Sequence, residues 1–214
     1  MTEPLLLALD TSTRTASLAL FDGAQVLSEI TWLAGREHST RLLVEVQLGF
    51  ERVGRDPAQL TGLVVARGPG SFTGVRVALS VAKGIAGGFG IPAWGVSTLD
   101  ILALAAGPSP LPVRALVEAG RGRYATALYV DGQPIGHATL ATVSQLVELL
   151  TEETFLIGEL QEDTRTTLST LPRVRLASRA AGARRAGFLA ELGWRMARRG
   201  EPGEARSLDA IYLT

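Results

Sequence analysis

The sequence predicts an α/β fold in two lobes, each built on a mixed sheet with helices on its faces. Three observations carry that expectation. A three-strand hairpin pattern opens the chain and gives way to alternating helix and strand patterns. A second hairpin pattern with the same order begins after residue 112. Between the two, Gly107-Pro108-Ser109-Pro110-Leu111-Pro112 collects residues that cannot continue a helix. At 214 residues, 46% of them hydrophobic and 20% charged, the chain can bury the core such a fold needs.

Leu5 to Leu9 is an unbroken apolar run, as in a buried strand, followed by the tight turn Asp10-Thr11-Ser12-Thr13 and a returning strand at Ala16 to Phe21. Asp22-Gly23 signals a hairpin into Val26 to Trp32. Apolar spacing then predicts a helix over about residues 38 to 53, a strand at Leu63 to Ala66, a helix at Val75 to Phe89, a strand at Ala93 to Val96 and a helix from Thr98 to near Ala106. Beyond the linker, Val113 to Glu118, Tyr124 to Val130 and Ile135 to Leu140 repeat the three-strand pattern around turns at Ala119-Gly120-Arg121-Gly122 and Asp131-Gly132, and a helix is expected from Ala180 to Arg199. Asp10 to Asp22 spans twelve positions and Glu118 to Asp131 thirteen. Matching order and spacing suggest an internal duplication, with lobes at residues 1–106 and 113–214 and a cleft between them. Chance recurrence of a common hairpin turn is the alternative.

The run Arg67-Gly68-Pro69-Gly70-Ser71-Phe72-Thr73-Gly74-Val75-Arg76 joins a buried strand to a long helix and brings backbone close to something. Ser71 or Thr73 is placed to cap the helix, and open N–H groups at its positive end favour an anion. The spacing is neither that of a P-loop nor that of the dinucleotide fingerprint, so a tight capped turn without a ligand is equally consistent with it. Asp10-Thr11-Ser12-Thr13 has the same two readings: a carboxylate and hydroxyls suited to phosphates and magnesium, or an ordinary turn. Glu118 matches Asp10 in the second lobe. Nine Arg against three acidic residues lie between Arg173 and Arg206, either a solvated helix face or a phosphate-backbone contact.

Both long helices carry more apolar residues than a one-sided surface helix needs. In the first, Leu43, Val46, Phe50 and Val53 repeat at three- and four-residue spacing beside Gly49; in the second, Arg76, Ser80 and Lys83 form a narrow polar stripe. Either another protein covers this surplus or the chain's own second lobe does.

Composition excludes several classes. With 21 basic and 21 acidic residues the chain lacks the charge of an autonomous nucleic-acid binder. Cysteine is absent, and His38 and His137 form no metal-binding pair, so neither thiolate chemistry nor a histidine-centred metal site is expected. No HExxH and no Ser/His/Asp spacing occurs. The N-terminus lacks a basic segment, and the uncharged stretch at residues 84–99 is interrupted by Gly and Pro and shorter than the ~20 residues of a membrane span, so a cytoplasmic protein without membrane contact is expected.

The Asp10-Thr11-Ser12-Thr13 hairpin, Glu37-His38-Ser39 opening the first helix, the full run Gly68 to Arg76 and Gly95-Val96-Ser97-Thr98-Leu99 together closely resemble the TsaB (YeaZ) family, in the family's order over about the first hundred residues. Arg121 to Tyr124 and Tyr212-Leu213 match more loosely, and Val117-Glu118-Ala119-Gly120-Arg121 departs from the usual Ile-Asp-Ala-Arg-like strand end. The resemblance implies an actin-like ATPase (ASKHA) fold of two RNase H-like lobes, the second reduced. It implies a non-catalytic accessory subunit for threonylcarbamoylation of the adenosine next to the anticodon in tRNAs reading A-starting codons. The partners implied are the catalytic subunit TsaD and the ATPase TsaE, with a homodimer when alone and tRNA met only through the complex. It assigns the partner interface to Leu42, Leu43, Val46, Gly49, Phe50, Val53, Val81 and Ile85. Candidate nucleotide or anion contacts are Asp10, Thr11, Ser12, Gly70, Ser71 and Thr73; no cofactor and no metal is expected on this chain alone, and ATP or ADP would sit at the complex junction. A stand-alone actin-fold ATPase or sugar kinase using Asp10 is the alternative. On the partner reading the Gly-rich run sets the angle of an interface helix, and Val46→Arg or Phe50→Arg should break the dimer while leaving the monomer folded.

Overall fold

The computed structural model describes residues 3–34 and 38–213; Glu37, named in the resemblance, lies outside them, as do the side chains of His38 and Ser39. In the first half, strands β1 (Leu6–Asp10), β2 (Thr15–Phe21) and β3 (Val26–Leu33) are followed by helix α1 (His38–Val53), β4 (Gly62–Ala66), α2 (Phe72–Phe89), β5 (Ala93–Val96) and α3 (Thr98–Ala106). The second half runs β6 (Val113–Glu118), β7 (Arg123–Val130), β8 (Gln133–Thr142), α4 (Val143–Leu149), β9 (Thr154–Gly158), α5 (Glu162–Ser169), β10 (Val174–Leu176), α6 (Arg179–Gly182) and α7 (Ala186–Arg198).

Two five-stranded sheets result, ordered β3-β2-β1-β4-β5 and β10-β9-β6-β7-β8. In each, three antiparallel strands are extended by two parallel ones in the same sequence order, so the duplication expected from the hairpin spacing is present in the topology. The second lobe is reduced in its helices rather than its strands: α4 and α5 have 7 and 8 residues where α1 and α2 have 16 and 18.

Strand alternation divides each sheet between two cores. Leu7, Leu9, Leu18, Leu63 and Val65 face α1 and α2, while Leu6, Ala8, Ala19 and Val64 face α7. In the second sheet Ala115, Val117 and Ala125 face α3, and Leu116, Tyr124 and Leu156 face α4 and α5. The lobes therefore exchange helices across the boundary expected at residues 106 to 113. Helix α3, from the first half, lies on β6 and β9; α7, from the second, lies on β1, β2 and β4. The α7 backbone sits so close that a Cβ on Gly193 would fall 2.1 Å from a Val64 methyl.

Three expectations change. Helix α2 begins at Phe72, three residues before Val75, because the Ser71 side chain accepts from Gly74 N; Ser71 is the cap, and Thr73 lies inside the helix. The helix expected from Ala180 to Arg199 is broken at Ala183-Arg184-Arg185 into α6 and α7, because Arg184 is drawn into the interior. On α1, Leu42 (0% exposed) and Phe50 (2%) belong to the core, and a Cβ on Gly49 would meet Leu18 at 3.5 Å, so these three face the sheet rather than a partner. Val46, Val53, Val81 and Ile85 are half-buried against the same core. The outward apolar residues are Leu43 (54% exposed) and Val44 (56%), the second of which sequence reasoning did not single out.

Phe50→Arg should accordingly unfold the chain instead of splitting a dimer. In urea denaturation Phe50→Ala is expected to cost about 3–5 kcal/mol and Leu43→Ala no more than about 0.5 kcal/mol; equal losses would contradict this division of the helix.

Candidate functional site

The first β-hairpin, the start of α2 and the break between α6 and α7 meet at one point between the lobes. Asp10 ends β1, is 1% exposed, and accepts through Oδ1 from Ser12 N (2.8 Å) and Ser12 Oγ (2.5 Å). Its Oδ2 accepts from Arg184 Nε at 2.8 Å. Arg184, also 1% exposed, donates further to Glu159 Oε1 (3.0 Å), Thr13 Oγ1 (2.7 Å) and the Thr15 carbonyl (3.2 Å). Thr13 Oγ1 in turn donates to Glu159 Oε2 at 2.9 Å. The guanidinium thus bridges the lobes, with Asp10 and Thr13 on one side and Glu159 on the other. Burial alone would lower the Arg184 pKa; the charges of Asp10 and Glu159, with the hydrogen bonds to them, overcome that and hold it above its ordinary value.

The Gly-rich run seals the same turn from the other side. Thr11 Oγ1 donates to Gly74 O at 2.6 Å, and Ser71 N donates to Ser12 O at 2.6 Å. A Cβ on Gly70 would fall 2.1 Å from Ser12 O, and one on Gly74 2.0 Å from Thr11 O, so both positions require glycine for close approach. What the Gly-rich run approaches is the chain's own hairpin. The structure brings Asp10, Thr11, Ser12, Gly70 and Ser71 together, but their polar atoms are directed at one another and at Arg184; Thr73 faces outward.

Glu118, the expected counterpart of Asp10, is held by Gln161 Nε2 at 2.6 Å instead of joining the network. Glu159 and Arg184 take that role, and sequence reasoning missed both. One trace was readable: two arginines interrupt the small apolar run from Ala180 to Ala190. Of the nine arginines from Arg173 to Arg206, six pair with carboxylates of this chain, namely 175, 179, 184, 185, 195 and 199, so most of the run is spent on internal ion pairs. Among the described residues no group of three or more His, Cys, Asp or Glu is arranged to hold a metal, and no helix is long and apolar enough to cross a membrane.

A cavity of about 910 Å³ lies away from this network, between α3, the Pro-rich linker, the β7–β8 turn and α7. In its wall Tyr129 donates to Asp100 Oδ1 at 2.7 Å. Burial first, then the Asp100 charge and hydrogen bond, push the Tyr129 pKa well above its ordinary value of 10.0.

Residues 30–180 match the family model described as TsaD: tRNA N6-adenosine threonylcarbamoyltransferase. The tRNA threonylcarbamoyladenosine biosynthesis protein TsaB of Escherichia coli is 41% identical over 98 residues, 46% of this chain and 42% of that protein. The structure of YeaZ from Pseudomonas aeruginosa superposes with a TM-score of 0.78 at 25% identity, covering 98% of this chain and all of that one. The chain belongs to the TsaB (YeaZ) branch of that family. The matched stretch spans about half the length of the curated TsaB relatives. The fold extends further: the activator of 2-hydroxyisocaproyl-CoA dehydratase from Clostridium difficile, 8% identical, superposes with a TM-score of 0.55 over 98% of this chain and all of its own. The two lobes are those of the actin-like ATPase fold.

Two measurements test the site. Arg184→Met leaves the buried Asp10 carboxylate and the half-buried Glu159 carboxylate without a counter-charge and should cost about 3–5 kcal/mol in urea denaturation, with a smaller added loss when Asp10→Asn is combined with it; a loss under about 1 kcal/mol would contradict the bridge. Because the folded Tyr129 pKa is raised, the stability it contributes is complete below about pH 10 and lost as pH rises beyond. Tyr129→Phe should lower stability at pH 8 and flatten the alkaline decline, whereas parallel declines would contradict the assignment.

Proposed function

We propose that this chain is a non-catalytic subunit in the threonylcarbamoylation of the adenosine next to the anticodon in tRNAs reading A-starting codons, binding and supporting a TsaD-type catalytic subunit together with a TsaE-type ATPase. One observation carries the non-catalytic part: the hairpin carboxylate that an actin-fold ATPase or sugar kinase would offer to magnesium and phosphate is buried here and occupied by Arg184. An enzyme working alone at this cleft would have to break that pair first. ATP or ADP, on this reading, sits at the junction of the complex instead.

The family model and the TsaB relatives support the pathway, and the α1 surface supports a protein partner. Leu43 and Val44 stand exposed on the helix, beside the half-buried Val46, with Val77 and Val81 of α2 on the same side of the first sheet. A homodimer in isolation would use the same face. Contact with tRNA comes only through the complex, in keeping with a net charge of zero, and the compartment is the cytoplasm.

Reconstitution of tRNA modification from TsaD-type and TsaE-type subunits with and without this chain tests the role; turnover undiminished by its omission would end the reading. Leu43→Arg combined with Val44→Arg should abolish co-purification with the TsaD-type subunit while leaving the urea midpoint near that of the wild type, because both side chains already face solvent. Retained complex at full yield would place the interface elsewhere.

A further inference from the structure

The C-terminal segment crosses the first lobe as a strap. Trp94 Nε1 donates to Glu201 O at 2.9 Å, Leu208 is buried in the core beneath α2, and Ile211 N donates to Arg67 O at 2.7 Å. Leu213 then packs against the core of the second lobe. Fixed on both sides, Tyr212 is delivered to the first turns of α2, 136 residues away in sequence.

There it completes a cluster that neither the core nor the Arg184 network uses. The rings of Phe72 and Tyr212 lie 5.5 Å apart at 34°. The Arg76 guanidinium carbon sits 3.6 Å from the Phe72 centroid and 5.9 Å from that of Tyr212. Arg76 Nε donates to the Tyr212 hydroxyl at 3.0 Å. Despite these contacts Phe72 remains 56% exposed and Tyr212 50%. Among the described residues no carboxylate pairs with Arg76, and its two terminal nitrogens donate to nothing. The side chain has therefore lost much of its rotamer freedom, and its planar fork of N–H groups is still unspent.

A groove of about 450 Å³ runs alongside, walled by Leu79, Leu208 and Ala210, with Ser80 and Lys83 one and two turns along α2. This composition suits a protein rather than a nucleic acid. Among the described residues Arg76 and Lys83 are its only cations, and Lys83 already leans on Asp209 at 3.8 Å, whereas a phosphate backbone engages several free cations in succession. One face of Phe72 is occupied by the guanidinium, which leaves a base at most the other face to stack on. Arginine flanked by tyrosine and phenylalanine is the composition of an interface anchor.

We propose that Arg76, held between Phe72 and Tyr212, receives a carboxylate side chain of the partner protein that docks on α2, and that the adjoining groove takes the apolar side chain beside it. The proposal rests on the reading that a protein partner covers α1 and α2, and it names the polar contact at one end of that face.

Titration calorimetry of the full chain with the TsaD-type subunit, at two salt concentrations, tests it. Arg76→Ala should raise Kd about tenfold or more and remove part of the salt dependence, with Phe72→Ala weakening binding in the same direction. Arg76→Lys should recover only part of the affinity, because an ammonium lacks the planar fork and the stacking. If Arg76→Ala binds as the wild type does while Leu43→Arg with Val44→Arg does not, the anchor is wrong and the partner reading stands. Failure of the wild-type chain itself to bind removes both. If Arg76→Ala leaves the protein Kd unchanged but weakens binding of fluorescent tRNA to the chain alone, the site serves nucleic acid and the proposal falls.

Discussion

The buried ion pair between Arg184 and Asp10, extended to Glu159, is the constraint from which the centre of the molecule follows. Asp10 on the first lobe and Arg184 on the second are taken fully out of water, with Glu159 half-buried beside them, and the charges are stable only while each is matched; the geometry gives four of the five Arg184 donors a partner. Meeting that demand breaks the helical run before Ala186, closes the β1–β2 hairpin around Ser12, and sets the first lobe against the end of β9. Gly158 and Gly182 belong to the same arrangement: a Cβ on Gly182 would fall 2.5 Å from Gly158 O, so the α6 segment carrying Arg184 inward lies directly on the strand end that carries Glu159.

The duplicated sheets give this network its setting. Through Arg184 the carboxyl end of β1, at Asp10, meets that of β9, at Glu159, the side of an open α/β sheet on which a crevice forms. In this chain the crevice is filled from within by an arginine of the α6–α7 junction, and the exchange of α3 and α7 between lobes fastens both walls. The apolar residues of α1 and the aromatic–arginine cluster on α2, which we propose as the partner surface, lie outside this crevice.

Much of the fold was legible because local signals agreed with the tertiary structure. Apolar runs bounded by Asp-Gly turns marked β1 to β3 and β6 to β8, and three-and-four spacing marked α1. The start of α2 is ambiguous by three residues in the sequence because Ser71 and Thr73 are both competent caps and only the packing of the Gly-rich run on Ser12 selects between them. Periodicity told which α1 residues are apolar but not which side meets the sheet, so Leu42, Gly49 and Phe50 were grouped with Leu43. The least legible feature was the network itself. It joins positions 10, 13, 159 and 184, which no local pattern connects, and a buried arginine has the same sequence appearance as the exposed ones around it.

If Arg184 fills the place where an actin-fold ATPase would engage Mg·ATP, the chain alone does not take nucleotide. Titration of Mg·ATP into the purified chain, followed by calorimetry and by the thermal midpoint, tests it most directly. No saturable heat and no rise in midpoint are expected. Saturable micromolar binding accompanied by increased amide protection of Thr11 to Thr15 would contradict it.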